Sequence, residues 1–314
     1  MNEQLQSALL TAGRVQRELL EVLRQEYVGK DEVIDLLGIC LVAGENLFLL
    51  GPPGTAKSAL VRSLSSRLQG RVFDYLLTRF TEPSELFGPF DIRRLREGDL
   101  LTNTEGMLPE ADIIFLDELL NANSAILNSL LMALNERVFR RGRETRRLHS
   151  VLTVGASNRL PEDDTLAALF DRFLLRVRSD NVPPEMLTTL LEAGWQLQQP
   201  AVLCERAEET GQTTPRITID ELRSMQAGIP LIDLGPSRAA YAGLISRLRH
   251  AGLAISDRRA IRLQRLLAAS AMMCQRVTVD VSDFWVLRYI WDTLAQVDVL
   301  AKIANDALRS QTGT

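Results

Sequence analysis

Cysteine and lysine are scarce in this sequence, and long hydrophobic runs are missing. The 314 residues include 3 cysteines, widely spaced and without a C-x-x-C pair, which excludes a disulfide-stapled scaffold and a cysteine-based metal or redox site. No apolar run reaches the roughly 18 residues that a membrane span needs, and the chain does not open with a secretion signal. These features predict a cytoplasmic protein with reduced thiols and no direct membrane insertion.

A large excess of either charge is also missing. The formal net charge is -4 at pH 7, so overall electrostatics do not attract the chain to nucleic acid or acidic membranes, and no nucleic-acid partner is expected. Hydrophobic residues make up 46% and charged residues 24%, the composition of a folded globular protein. Since a domain usually has roughly 100 to 200 residues, the length predicts two domains.

The few lysines mark positions of interest. Arginine outnumbers lysine by 33 to 3, and the lysines are Lys30, Lys57 and Lys302. A lysine retained in such a chain suggests that the position needs a compact ammonium group and not the planar guanidinium of arginine. Lys57 lies in the strongest motif of the sequence.

Hydrophobic periodicity predicts an α/β core at residues 1–180. An amphipathic helix is expected at 4–26, followed by a second helix near 31–43. Short apolar or β-branched runs separated by helical or loop sequence then predict a mainly parallel sheet covered on both faces. These runs are Leu47–Leu50, Val72–Leu77, Ile113–Leu116, Val151–Ala156 and Phe173–Val177.

A second, all-α domain is expected at residues 181–314. After Pro183 and Pro184 the pattern becomes helical, without convincing strands. Helices are predicted near 184–208, 218–228, 236–250, 257–275 and 282–309. The last of them is expected to be capped by Ser282 or Asp283.

The strongest motif is a glycine-rich turn between the strand Leu47–Leu50 and a predicted helix at 59–69. It reads Gly51, Pro52, Pro53, Gly54, Thr55, Ala56, Lys57, Ser58. This nearly fills the phosphate-loop pattern G-x-x-x-x-G-K-[ST], in which backbone N–H groups and a helix N-terminus bind phosphates. Lys57 is expected to reach the β and γ phosphates of a bound nucleotide, and Ser58 to hold Mg²⁺. Ala56 departs from the pattern, and its methyl group is expected to fit only with a negative φ.

Two later strands end in polar side chains that suit the same site. Asp117 and Glu118 follow the apolar run Ile113–Leu116, where a parallel sheet would bring them beside the phosphate loop. We assign Asp117 to the metal and Glu118 to activation of the attacking water. Asn158, after the run Val151–Ala156, can bond that water and the γ-phosphate. Taken alone, Ser157-Asn158 is equally well explained as a turn.

In this order the motifs resemble those of the AAA+ ATPases, specifically the MoxR family, nearest to its RavA-type branch. The segments that carry the resemblance are FLLGPPGTAKS at 48–58, TRFTEPSELFGP at 78–89, IIFLDE at 113–118, AILNSLLMALNERVFRRG at 125–142, VGASNRLPE at 154–162 and LFDRF at 169–173. The resemblance implies an α/β AAA+ core, with a parallel sheet flanked by helices, followed by an all-α lid. Ala56 fits it, because loops of this family often read G-x-A-K.

Further roles are implied by the resemblance alone. Arg172 stands at the place of the arginine finger, which reaches the nucleotide of a neighbouring subunit and requires a homo-oligomer, expected to be a hexamer. A surface arginine paired with Asp171 is the alternative.

The resemblance also implies two groups around the nucleotide. Arg258 stands at the sensor 2 position of the lid, with Arg259 as the alternative, and the pair could equally be a solvated face. Tyr27, Val28 and Gly29 resemble the segment that packs on adenine, and Gly29 would also serve as a left-handed helix cap.

Two more segments resemble family features. Residues 81–106 resemble the insertion within helix 2, with a charged tip at 92–99, and 138–148 reads as a hairpin with Gly142 at its turn. Six arginines lie between 137 and 147. They either face a ring pore or form a solvated or intersubunit charged face.

The function expected from the resemblance is Mg²⁺-dependent ATP hydrolysis by a ring that remodels or matures a protein target. A von Willebrand factor A domain protein is the expected partner. The alternatives are an ATPase subunit of the magnesium-chelatase type and a DNA-stimulated translocase.

Overall fold

A five-stranded parallel sheet lies at the centre of the first part of the chain. The computed structural model describes residues 2–91, 101–141, 144–198 and 216–309. The strands are β1 (Leu47–Leu50), β2 (Leu68–Gln69), β3 (Val72–Leu76), β4 (Ile113–Asp117), β5 (Val138–Arg141), β6 (Glu144–Arg147), β7 (Leu152–Ser157), β8 (Leu175–Arg178) and β9 (Ile217–Thr218). The order of the five strands in the central sheet is β3-β4-β7-β1-β8. All five predicted strands are present, and their ends differ from the prediction by at most two residues.

Helices cover both faces of the sheet and form the second part of the chain. The α-helices are α1 (Glu3–Arg14), α2 (Glu21–Glu26), α3 (Asp31–Ala43), α4 (Lys57–Ser66), α5 (Pro83–Phe87), α6 (Ser124–Glu136), α7 (Asp164–Phe170), α8 (Leu187–Gln198), α9 (Ile219–Gly228), α10 (Arg238–His250), α11 (Asp257–Met273) and α12 (Ala295–Arg309). This is the predicted α/β core with a helical lid, while the boundary near residue 180 stays a prediction. Within the described ranges, no helix has the length and apolar character to cross a membrane.

The first predicted helix is interrupted by a π-helical segment, Val15–Leu20, between α1 and α2. Val15, Leu19 and Leu20 are buried. Leu20 packs closely on α3 at Gly38, where an added Cβ would lie 2.4 Å from the leucine Cδ1. The hydrophobic periodicity predicted the helix, but this local change of hydrogen bonding depends on its packing partner.

The helical part differs from the prediction at its last element. The predicted helix at 282–309 is a 3-10 segment, Val281–Tyr289, followed by α12. Its cap is Asp280, whose side chain accepts the backbone N–H of Ser282 at 2.7 Å, so the expectation of Ser282 or Asp283 as cap was wrong. Asp283 instead accepts the backbone N–H of Asp280 at 3.0 Å, which completes a capping box. A short strand, β9, also pairs in parallel with β2.

The insertion and the hairpin are both partly described. The arms of the insertion pair through an antiparallel bridge between Phe90 and Thr102, and its tip at 92–99 lies outside the described residues. Strands β5 and β6 pair in antiparallel register from Val138 with Arg147 to Arg141 with Glu144, as the hairpin prediction requires. Gly142, predicted at its turn, lies outside the described residues.

The backbone at Ala56 contradicts the expectation of a negative φ. Ala56 has φ 64 and ψ 16, in the left-handed region, immediately before α4 begins at Lys57. The chain must turn sharply here to pass from the glycine-rich loop into the helix. Left-handed backbone costs an L-residue about 1–2 kcal/mol, so a glycine at this position of the general pattern avoids that strain.

Replacing this residue tests the conformation. Ala56→Gly is expected to leave the free energy of unfolding unchanged or raise it by about 1 kcal/mol, because the relief of strain outweighs the added chain entropy of glycine. The matched control is Ala59→Gly, an exposed position within α4. That change is expected to cost about 1 kcal/mol in urea unfolding. Equal losses for both variants would contradict a left-handed Ala56.

Candidate functional site

The predicted site residues meet at one edge of the sheet. Strand β1 pairs in parallel with β7, with Leu50 opposite Ser157, and β7 pairs in parallel with β4. Because parallel strands end at the same edge, the segments that follow β1, β4 and β7 come together there. Asp117 is the last residue of β4, and Ser58 and Asn158 lie on the segments that follow β1 and β7.

A hydrogen bond joins the phosphate-type loop to the carboxylate strand. The hydroxyl of Ser58, in the first turn of α4, donates to Asp117 Oδ2 at 2.8 Å. Asp117 is the last residue of β4, 59 positions further along the chain. The two predicted metal ligands therefore lie side by side.

The ammonium group of Lys57 lies inside the loop. It donates to the carbonyl oxygens of Gly51 at 2.7 Å and Pro52 at 2.8 Å, and only 8% of the residue is exposed. Burial lowers the pKa of Lys57, and the nearby carboxylates of Asp117 and Glu118 oppose that shift. The positive charge is held where phosphate oxygens would compete with these carbonyls.

Two residues to which the sequence analysis assigned no role connect the loop to the segment that follows β8. The Ser179 hydroxyl, directly after β8, donates to the carbonyl of Thr55 at 3.1 Å. The buried Lys30 ammonium donates to Ser179 Oγ at 3.2 Å and to the backbone carbonyl of Asp180. The scarcity of lysine pointed to Lys30 as well as Lys57, but its partner lies 149 residues away.

Glu118 has a strained backbone and a perturbed carboxylate. Its φ is 50 and its ψ is 40, in the left-handed region that directs the chain away from β4. Burial and repulsion from Asp117 raise the pKa of Glu118. The charges of Lys57 and Arg159 and a hydrogen bond from the backbone of Asn158 oppose this rise. Asn158 therefore lies next to Glu118, as the order of motifs suggested.

The donor set at this edge fits a Mg²⁺ nucleotide. Ser58 and Asp117 offer hard oxygen atoms, and among the described residues no group of three or more His, Cys, Asp or Glu side chains could hold a metal ion by itself. A Mg²⁺ ion usually takes few protein ligands and completes its shell with phosphate oxygens and water. Ser58 and Asp117 would hold it.

A cavity of about 550 Å³ lies against the segment predicted to pack on adenine. Its lining includes Gly29, Lys30 and Ser179 from the core, and Tyr289 and Trp291 from the helical part. Gly29 has the expected left-handed backbone, with φ 70. Tyr27 is anchored behind the loop, because its hydroxyl donates to the carbonyl of Ala59 in α4 at 2.9 Å.

Comparison with known families decides what this architecture belongs to. A family model described as the MoxR domain of MoxR–vWA–β-propeller ternary systems matches residues 14–227, more than half of the chain. A model of an AAA lid domain matches residues 242–304. The chain belongs to the MoxR family of AAA+ ATPases. Membership of the RavA-type branch stays a prediction.

Proteins similar in sequence to this MoxR chain occur in an archaeon and in a virus, and a solved bacterial structure shares its fold. Two Methanocaldococcus jannaschii proteins, MJ0079 and MJ0812, are each 33% identical to it over 91% of its length and over 74% and 76% of their own. The structural protein ORF618 of Acidianus two-tailed virus is 31% identical over 56% of the chain and 29% of its own length. The solved structure of a candidate ATPase from Cytophaga hutchinsonii has a TM-score of 0.72 over 97% of this chain and 96% of its own, at 19% identity, which shows a shared fold.

Arg172 of the MoxR core is bonded within its own chain. Its Nη1 donates to Asn135 Oδ1 at 2.6 Å, and its Nε donates to the carbonyl of Ala168 at 3.2 Å. The alternative of a pair with Asp171 is not what the structure shows. Asp171 instead lies 3.9 Å from a nitrogen of Arg176.

The two lid arginines differ sharply in environment. Arg258 is exposed, whereas Arg259 is 7% exposed and donates to both carboxylate oxygens of Asp292, at 3.0 and 3.1 Å. Arg259 is thus held in place by the lid itself. Sequence reasoning could not separate two adjacent arginines, and the sensor 2 assignment of Arg258 stays a prediction.

The arginines of the hairpin region are mostly paired within the MoxR chain. Arg137 donates to the carbonyls of Ser150 and Gly44, and burial lowers its pKa. Arg140 pairs with Glu136 at 3.1 Å, and Arg141 donates to the carbonyl of Gly88 at 2.8 Å. Arg146 bonds Glu144 and Thr104. Bonds within the chain therefore explain most of these arginines without a bound ligand.

The first residue of the loop provides a test of how tightly it is packed. A Cβ added at Gly51 would lie 2.2 Å from the carbonyl oxygen of Ser179, so β1 and β8 would have to separate. Gly51→Ala is therefore expected to lower the free energy of unfolding by about 1–3 kcal/mol. The control is Gly194→Ala in α8, where an added Cβ meets no atom within 4 Å. In urea unfolding the control is expected to gain about 1 kcal/mol, and a neutral Gly51→Ala would contradict the close approach.

Proposed function

We propose that this chain is a Mg²⁺-dependent ATPase that works as a homo-oligomeric, hexameric ring and remodels or matures a protein target. The observation that carries the proposal is the hydrogen bond of 2.8 Å between Ser58 and Asp117. It joins the end of the glycine-rich loop to the carboxylate strand. Together with the buried ammonium of Lys57, it forms a site for a metal-bound triphosphate.

Each residue of the site has a defined part in hydrolysis. Backbone N–H groups of the loop 51–58 and the N-terminus of α4 bind the phosphates, and the Lys57 ammonium moves from the carbonyls of Gly51 and Pro52 to phosphate oxygens. Ser58 and Asp117 would hold Mg²⁺, which would neutralise phosphate charge when bound. Tyr27, Val28 and Gly29 form the wall against which adenine packs, beside the cavity that the lid completes.

Glu118 acts as the general base in this proposal. Its carboxylate accepts a proton from the attacking water, and the raised pKa strengthens its hold on that proton. Asn158, whose backbone bonds Glu118, orients the water through its exposed amide. Arg258 of the lid bonds the phosphates when the lid closes on the nucleotide.

In this proposal, association with a neighbouring copy of the chain completes each nucleotide site. Arg172 is proposed to serve the nucleotide of a neighbouring copy, for which it must exchange its present bond to Asn135 for a phosphate oxygen. The description of the matched family model names vWA proteins as components of such systems, which supports a von Willebrand factor A domain partner. The partner would bring the protein target to the ring. The magnesium-chelatase and DNA-translocase alternatives would be favoured by a tetrapyrrole substrate or by DNA-stimulated turnover, respectively.

Two substitutions separate binding from chemistry. Lys57→Ala is expected to weaken ATP binding at least tenfold, because the phosphates lose a buried positive charge. Glu118→Gln is expected to bind ATP as the unmodified protein does while turnover falls about 10²- to 10⁴-fold. Calorimetric titration and phosphate release measure the two effects. Tight ATP binding by Lys57→Ala would refute the phosphate-loop assignment, and normal turnover by Glu118→Gln would refute its role as base.

Turnover at different protein concentrations tests the shared site. Turnover per protomer is expected to rise with protein concentration and to fall when Arg172→Ala protein is added to unmodified protein, because each site needs its neighbour. Added Arg62→Lys protein, changed at an exposed residue, is the control for simple dilution. Turnover that stays flat in both experiments would show that each site works without the Arg172 of a neighbour.

A further inference from the structure

A buried arginine joins the segment that carries Arg172 to the lid. Arg176, in the middle of β8, has an exposed fraction of 0%. Its Nη1 donates to Asp292 Oδ1 at 2.6 Å and to the carbonyl of Trp291 at 2.7 Å, both in the helical part of the chain. Its Nη2 donates to the carbonyl of Phe170 at 3.2 Å. One side chain therefore bonds both the lid and the residue two places before Arg172.

A second arginine reaches the same group from the lid side. Arg259, in the first turn of α11, donates to the carbonyl of Ile290 at 2.5 Å as well as to Asp292. Asp171 Oδ1 lies 3.9 Å from Arg176 Nη2 and 4.0 Å from Arg259 Nη1. Asp171 directly precedes Arg172. We refer to Asp171, Arg176, Arg259 and Asp292 as the lid cluster.

The charges of the lid cluster depend on one another. The two arginines are buried and share the carboxylates of Asp292 and Asp171. Burial and repulsion from Arg259 lower the pKa of Arg176 to about 10. A buried charge that loses its partner is costly, so a displacement of Asp292 with the lid would leave Arg176 poorly compensated unless Asp171 follows.

Apolar contacts strengthen the same connection. The guanidinium carbon of Arg176 lies 4.3 Å from the centre of the Phe170 ring. That ring also packs on Trp291 of the lid, with centroids 6.1 Å apart, and on Phe48 of β1, with centroids 4.8 Å apart. The end of α7, which presents Arg172, is thus held between the sheet and the lid.

We propose that the lid cluster transmits the position of the lid, set by the nucleotide in this chain's own site, to Arg172, which serves the neighbouring site. This inference rests on the proposed function. Arg258, the residue proposed to bond the phosphates, precedes Arg259 on the same turn of α11, so closure of the lid moves the cluster. The four residues are positioning residues, because they act on the reaction only through Arg172.

The test uses mixed assemblies of two kinds of subunit. Acceptor subunits carry Arg172→Ala and keep an intact site of their own. Donor subunits carry Glu118→Gln, so they do not hydrolyse ATP but still supply Arg172. In the mixture, ATP turnover comes from acceptor sites that donor subunits complete.

Asp171→Asn is then added to one kind of subunit at a time. This residue is 53% exposed in its side chain, so the change removes a charge with little risk to folding. In donors, the change is expected to lower kcat by about three- to tenfold at unchanged KM, because the position of Arg172 no longer follows the position of the lid. In acceptors, which lack Arg172, it is expected to leave kcat and KM unchanged.

Two further variants complete the experiment. Arg176→Lys keeps the charge but cannot bond the lid and the Phe170 carbonyl together, so in donors it is also expected to lower kcat. A thermal melt first shows that this variant folds. Arg62→Lys in donors is the control and is expected to have no effect.

Equal losses with Asp171→Asn in donors and in acceptors, or no loss in either, would overturn the proposal. A mixture with no turnover before Asp171 is changed would overturn the shared site of the proposed function, and the inference with it.

Discussion

Strand β1 is hydrogen-bonded on both sides, to β7 and to β8, and the positions of all the site residues depend on these two ladders. Its four residues are all buried, so both faces of the strand pack within the core. The loop that follows can approach β8 closely because Gly51 has no side chain in the way of the Ser179 carbonyl. Because β7 pairs with both β1 and β4, the carboxylates at the end of β4 lie at the same edge of the sheet as the loop. The contact between Ser58 and Asp117 follows from that arrangement.

Burial affects the two central charges of the site in opposite directions. It lowers the pKa of Lys57 and raises the pKa of Glu118, and each residue moderates the shift of the other. Both changes favour the neutral form, as desolvation does in general. The site therefore combines a buried ammonium bonded to loop carbonyls with a carboxylate whose raised pKa favours uptake of a proton. Water-exposed side chains would not have this combination.

The abundance of arginine also has a structural explanation. Several guanidinium groups bridge backbone carbonyls of different segments, as Arg137 does between Ser150 and Gly44 and Arg176 does between Phe170 and Trp291. A planar fork with several donors suits such bridges. Lysine is retained at Lys30 and Lys57, where a compact ammonium donates within a confined space beside the loop.

Local pattern alone determined the five core strands, the glycine-rich loop between β1 and α4 and the carboxylate pair at the end of β4, and the resemblance of the motifs indicated the family. Apolar runs and glycine-rich turns are each formed by a few consecutive residues, so they can be recognised before the fold is known. The tertiary structure decided the left-handed backbone of Ala56, the bond from Lys30 to Ser179, the Asn135 partner of Arg172 and the burial of Arg259 beside exposed Arg258. Several of these contacts join residues that are far apart in sequence, as Arg176 and Asp292 are at 116 positions. Such contacts depend on strand order and on how the lid packs, which no local pattern specifies.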